Sequence, residues 1–146
     1  MRSREEPVVV MADDDDDDCL LARHAFEESK APGVLYCVED GVELLDFLSH
    51  CGKYESDGHT PCPALILLDL NMPRKDGRQA LREIKSIPAF QNIPVVVLTT
   101  SREEKDVILS REMGADSFIT KPSLFDAWVE MMKSLAENWL RKPLRP

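Results

Sequence analysis

An α/β fold built on a doubly wound, five-stranded parallel sheet is the architecture this sequence predicts, and three observations predict it. Five short apolar or β-branched runs recur along the 146 residues, each followed by a stretch with helical spacing. Most of the runs are continuous rather than alternating, as in strands covered on both faces. Charged residues follow three of them, namely Asp13 to Asp18, Asp69, and Lys121. That is the carboxyl edge, where open α/β sheets bind ligands.

The elements follow in order. Val8 to Ala12 reads as a buried strand, and the helix after it is expected to turn Leu20, Leu21, Ala25 and Phe26 inward. Aspartates at its start suit the positive end of the helix dipole, and Ala31-Pro32-Gly33 stops it. Val34 to Val38 is a second strand. Val42, Leu44, Leu45 and Leu48 then repeat at helical spacing until Gly52, and Lys53 to Pro63 reads as a long loop. Ala64 to Leu68 is the third strand. Gly77 closes the loop after Asp69, and Ala80, Leu81, Ile84 and Ile87 make one helix face. Pro88 and Pro94 frame the turn before the fourth strand, Val95 to Thr99. Ser101-Arg102-Glu103-Glu104 resembles a capping box that opens a helix through Met113, with Gly114 at its end. Ser117 to Thr120 is the fifth strand. Ser123 with Asp126 caps a last helix whose inner face is Leu124, Trp128, Met132 and Leu135. Right-handed crossovers favour helices on both faces. The order 2-1-3-4-5 sets strands one and three side by side at the switch point.

One domain over residues 7–140 is expected, with short tails at 1–6 and 141–146. The net charge is −9, and Asp13 to Asp18 carry six of the negative charges, so the acidity is local. No basic nucleic-acid footprint and no apolar stretch of about 18 residues for a membrane is present. The N-terminus is too polar for a signal peptide, and a cytoplasmic location is the default. Cys19, Cys37, Cys51 and Cys62 are widely spaced without Cys-x-x-Cys, which reads as small, half-buried thiols in a reducing compartment.

Adjacent strand ends lie about 4.8 Å apart, so carboxylates after strands one and three can share a divalent cation. Mg²⁺ takes hard oxygen ligands at about 2.1 Å and keeps several waters; Mn²⁺ or Ca²⁺ also suits oxygen donors. Two acidic strand ends and one basic strand end suggest a cation and a phosphoryl group meeting at one aspartate. Each residue also has a plainer reading. A strand-end aspartate can be a turn former, Thr99 an ordinary strand threonine, Lys121 a surface charge, and Asp16 to Asp18 a solvated helix start.

Taken together the motifs resemble the receiver domain of two-component response regulators over about Pro7 to Leu140. An acidic pair follows strand one, Asp-x-x-x-Pro follows strand three, Thr ends strand four, and Lys-Pro follows strand five. Asp69 to Gly77, Ile93 to Ser101, and Phe118 to Pro122 look most like small single-domain receivers, some of which work with phytochrome-type histidine kinases. The resemblance implies the flavodoxin-like receiver fold. It implies Asp69 as phospho-acceptor, Asp13 and Asp14 as the acidic pair, and the Asn71 backbone carbonyl as a further ligand of Mg²⁺. It implies Thr99 and Lys121 on the phosphoryl oxygens, Asn71 and Ser101 as tuners of acyl-phosphate lifetime, and a cis bond before Pro122 that directs Lys121 inward.

Phe118 takes the place of the family's aromatic switch, turning inward when Thr99 moves toward the phosphoryl group; its plainer reading is a core phenylalanine. Met113, Phe118 and Trp128, with Trp139 and Leu140, suggest an output and homodimer surface. The implied partners are a sensor histidine kinase or phosphotransfer protein and a downstream protein target, with no DNA and no membrane. Apart from its own phosphorylation and dephosphorylation, no enzymatic activity is expected. The alternative is an aspartate-nucleophile phosphatase of the haloacid-dehalogenase type, but that chemistry wants Asp-x-Asp and here the second position is Asn71. A flavin binder would want a phosphate-cradling first loop, where six aspartates repel phosphate. A structural pseudo-receiver would not carry the complete residue set.

Overall fold

The computed structural model describes residues 6–50, 54–55, 58–59, 62–72, 74–100 and 103–140. Its main sheet contains β1 (Val8–Ala12), β2 (Val34–Val38), β5 (Leu65–Leu68), β6 (Val95–Thr99) and β7 (Ser117–Thr120). All pairs are parallel and the order is β2-β1-β5-β6-β7, which is 2-1-3-4-5 counted within this sheet. The helices are α1 (Asp16–Glu28), α2 (Gly41–His50), α3 (Gly77–Ser86), α4 (Glu104–Glu112) and α5 (Phe125–Leu135). A π-helical turn, Ala136–Leu140, continues α5.

Strand alternation divides the continuous apolar runs between two cores. Val9, Met11, Leu65, Leu67, Val96 and Leu98 face α1 and α5, where Ala25, Phe26, Trp128 and Met132 are buried. Val10, Ala12, Ile66, Leu68, Val95 and Val97 face the opposite way, onto Leu44 and Leu48 of α2 and Ala80, Leu81 and Ile84 of α3. Trp128 is the largest fully buried side chain; truncating such a residue to alanine typically costs about 3–5 kcal/mol. Both faces of β1, β5 and β6 are therefore covered, and their carboxyl ends are held in fixed register.

Several expectations need correction. Leu20 and Leu124 are exposed, at 53% and 70%. The buried stripe of α1 runs instead through Ala22, Ala25 and Phe26, and Leu124 precedes α5 with extended backbone, off the helical face. Val42 is also largely exposed, while Leu44 and Leu48 are buried. Leu124 rather than Ser123 is the N-cap of α5 and makes no side-chain cap bond; Glu103 stands likewise before α4. Ser101 and Arg102 of the expected capping box lie outside the described residues. Within the expected long loop, β3 (Tyr54–Glu55) and β4 (Gly58–His59) pair antiparallel. Cys62 is disulfide-bonded, contrary to the expectation of separate thiols; Cys19 and Cys37 are free and half-buried. Cys51 lies outside the described residues, as do 141–146. Trp128 is buried, and Trp139 and Leu140 pack partly against the core, so these three do not form an exposed contact surface.

Candidate functional site

The site is assembled from the loops at the carboxyl edge. Asp13 follows β1, and its N–H donates to the Val38 carbonyl at 3.0 Å. Asp69 follows β5, and its N–H donates to the Ala12 carbonyl at 3.0 Å. The sheet ladder thus runs up to both carboxylates and fixes their bases. Lys121 follows β7, where its N–H donates to the carbonyl of Thr99, the last residue of β6, at 2.8 Å.

The loop after Asp69 turns back tightly. The Gly77 N–H donates to the Leu70 carbonyl at 2.9 Å. A Cβ at Gly77 would stand 2.1 Å from the Asp69 carbonyl oxygen, so only glycine allows this approach. Arg74 adopts a positive φ of 63°, and its Nε donates to Asp40 Oδ2 at 2.7 Å. That bond ties the loop to the start of α2 and holds the Asp40 carboxyl below its ordinary range.

Four charges converge at this edge. Lys121 Nζ lies 2.6 Å from Asp13 Oδ2, 2.7 Å from Asp18 Oδ2 and 3.3 Å from Asp69 Oδ2. The lysine side chain is only 7% exposed. Burial works against its ammonium, but the hydrogen bonds to Asp13 and Asp18 outweigh that, and its pKa is raised overall. Burial raises Asp13 to about 6, although Lys121 and the Asp15 N–H pull it back. Asp15 caps α1, its Oδ1 accepting from Asp17 N at 2.9 Å and Asp18 N at 3.2 Å. This cap directs the first turn of α1 over the site.

The residues present fit a hard divalent cation. Asp13, Asp14 and Asp69 each offer a carboxylate oxygen, all within 4.8 Å of one another. Two ligands on opposite sides of one Mg²⁺ stand about 4.2 Å apart, so small side-chain adjustments suffice. Asp13 Oδ2 is buried and has no well-directed hydrogen bond, despite its short ion pair with Lys121. Asp14 is exposed, which leaves that side open to solvent.

The remaining candidates are placed as follows. Thr99 is fully buried at the end of β6. The Asn71 N–H donates to Asp69 Oδ1 at 3.3 Å. Phe118 is half-buried, pairs in register with Val97, and packs against the α2–α3 core. Ser101 lies outside the described residues. The expected cis bond before Pro122 is not found, since every described peptide bond is trans. Trans is the ordinary preference of X-Pro bonds, and Lys121 reaches the carboxylates without the alternative. Asp18 is the residue that sequence reasoning missed. The sequence reads it as part of a solvated helix start, yet it holds Lys121 at 2.7 Å. Three helical residues after the cap Asp15 is the only signal that could have marked it.

Comparison with known proteins gives a consistent picture. The family model described as response regulator receiver domain matches residues 9–135. Response regulator Rcp1 of Synechocystis sp. is 40% identical over 126 residues, covering 86% of this chain and 84% of that protein. The crystal structure of the Mn²⁺-bound form of Rcp1 superposes with a TM-score of 0.79 at 38% identity, covering 96% of this chain and 99% of that one. The phosphorylated cyanobacterial phytochrome response regulator RcpA superposes at 0.80 with 37% identity, covering 92% and 94%.

Proposed function

The chain belongs to the response regulator receiver domain family, and from that premise we propose that Asp69 is its phospho-acceptor. It is a signalling protein of two-component type, and nothing among the matched proteins favours the haloacid-dehalogenase alternative. The single observation that carries the reading is the convergence of Lys121 Nζ with Asp69 and Asp13, at 3.3 and 2.6 Å.

The proposed step is an in-line displacement. A carboxylate oxygen of Asp69 attacks the phosphorus of a phosphohistidine on a sensor histidine kinase or phosphotransfer protein. The O–P bond forms as the N–P bond breaks, and the imidazole stays on the donor. Asp13, Asp14, Asp69 and the Asn71 carbonyl would hold Mg²⁺. When bound, the metal neutralises charge on the carboxylates and the phosphoryl oxygens. The Mn²⁺ reported for Rcp1 supports a divalent cation here, and Mg²⁺ is our reading for the cell.

Lys121 supplies a second positive charge, leaving Asp18 and Asp13 to meet a phosphoryl oxygen. Thr99 donates its hydroxyl to another oxygen. Its movement frees space into which the Phe118 ring turns, shifting a two-state equilibrium that alters a partner surface. RcpA is described as a phytochrome response regulator, which supports a phytochrome-type kinase as the donor.

Incubating the protein with Mg²⁺ and acetyl phosphate, then measuring its intact mass, tests this. The account expects one phosphoryl adduct, lost in Asp69→Asn. An adduct that persists in Asp69→Asn overturns the assignment.

A further inference from the structure

The charged edge does not account for the make-up of α4. The stripe this helix turns inward is polar, with Asp106 and Ser110 buried, while Ile108 and Leu109 stand 49% and 41% exposed. That inverts the usual arrangement, in which a surface helix buries its aliphatic stripe. Arg78 of α3 holds Asp106 at 3.1 Å between the two helices. These two residues also line a cleft of about 590 Å³, together with Lys105, Ile108, Leu109 and Glu112. The last four are spaced three and four residues apart, so they share one face of α4.

The pattern of that face says what fits it. From the first turn to the last it reads cation, aliphatic, aliphatic, anion. A two-fold axis passing between Ile108 and Leu109 lays a second α4 antiparallel on the first. Ile108 then meets the partner's Leu109, and Lys105 meets the partner's Glu112, each pair occurring twice. A parallel pairing would instead set Lys105 against the partner's Lys105 and Glu112 against the partner's Glu112. Lys105 is available for the exchange. Its Nζ lies 3.7 Å from Glu103 Oε1, but the two side chains are 82% and 65% exposed, and such a surface pair holds weakly. The cleft lining sets Arg78 and Lys105 against Glu103, Asp106 and Glu112. This near balance favours neither a polyanion nor a strongly basic peptide.

We propose that the Lys105, Ile108, Leu109 and Glu112 face of α4 docks antiparallel on the same face of a second copy of this chain. One helix face is small against the roughly 1,200–2,000 Å² of a stable complex. The dimer is therefore weak and reversible, with a Kd on the order of 100 µM. No residue of the face belongs to the carboxylate site, so the proposal does not depend on the phospho-acceptor assignment. The face is also distinct from the Met113, Phe118 and Trp128 surface that the sequence suggested.

Sedimentation velocity on the whole chain, from about tenfold below to about tenfold above that Kd, tests the proposal. The parent should pass from monomer to dimer across the range. Lys105→Glu and Glu112→Lys should each weaken association by at least about tenfold, because each sets like charges together at both rims. Mixed one to one, the two variants should dimerise again, since each supplies the charge that the other lacks. Both substitutions fall on exposed side chains, so the fold is kept. A parent that stays monomeric throughout, a dimer untouched by the single variants, or a mixture no more associated than either variant alone overturns the proposal.

Discussion

Replacing Lys121 by Gln would remove a buried cation that Asp13, Asp18 and Asp69 share. At an effective dielectric of about 20, each contact at 2.6, 2.7 and 3.3 Å corresponds to a gross attraction of about 5–6 kcal/mol. Desolvation of buried ions offsets most of that, and removing one partner of a buried pair typically costs about 3–5 kcal/mol. Asp18 is the more exposed partner, at 21% for its side chain, so its share is discounted. The expected loss is thus about 3 kcal/mol at about pH 7.5 without metal. In a domain of this size that lowers Tm by roughly 6–12 °C.

The deficit must depend on pH, and its sign is fixed. Asp13 already titrates at about 6 in the folded protein, above its ordinary 3.8. The folded state therefore binds the extra proton, and the Asp13 contribution to stability falls as pH rises through that window. Without Lys121 the carboxyl is raised further, so by about pH 5 it is neutral in both proteins and the deficit shrinks to the share of Asp18 and Asp69. Thermal or urea unfolding at both pH values, in the presence of chelator, provides the assay. Adding Mg²⁺ at the higher pH should stabilise the variant more than the parent. A loss below about 1 kcal/mol, or an equal loss at both pH values, refutes the reasoning.

Three further outcomes follow from the same geometry. Gly77→Ala places a Cβ 2.1 Å from the Asp69 carbonyl oxygen; it should cost about 1–3 kcal/mol in urea unfolding and slow labelling by acetyl phosphate. Below about pH 6, where Asp13 takes up its proton, Mn²⁺ affinity measured by calorimetry should weaken by up to about tenfold per pH unit, and Asp13→Asn should flatten that dependence. Asp18→Asn frees Lys121 from its 2.7 Å partner; a discounted, partly buried pair of about 1 kcal/mol corresponds to roughly fivefold faster labelling by acetyl phosphate.

Much of the fold was legible because the strands are continuous apolar runs with punctuation between them. The fourth and fifth strands of the main sheet, Val95–Thr99 and Ser117–Thr120, have the bounds that the sequence implied. Asp69, Lys121 and an acidic cluster within Asp13 to Asp18 were legible as a group because strand topology brings strand ends together; the choice of Asp13 and Asp14 within that run is what the family resemblance implies. Helix faces were less so. α1 offers Leu20, Leu21, Ala22, Ala25 and Phe26, and periodicity alone does not say which overlapping stripe meets the sheet. Leu124 precedes its helix and so escapes the helical pattern. The β3–β4 ribbon is two residues a side, too short for alternation to show. Asp18 was hidden among six identical residues, where only the Asp15 cap fixes which carboxylate faces Lys121. The bond before Pro122 is trans, in keeping with the ordinary bias of X-Pro bonds and against the cis bond that the resemblance implies.

The most direct test of the phospho-acceptor assignment is chemical mapping of the label. After incubation with Mg²⁺ and acetyl phosphate, borohydride reduction converts an aspartyl phosphate to homoserine, and peptide sequencing by mass locates it. The account predicts homoserine at position 69 alone, dependent on the divalent cation. Homoserine at another aspartate, or equal labelling in chelator, would contradict it.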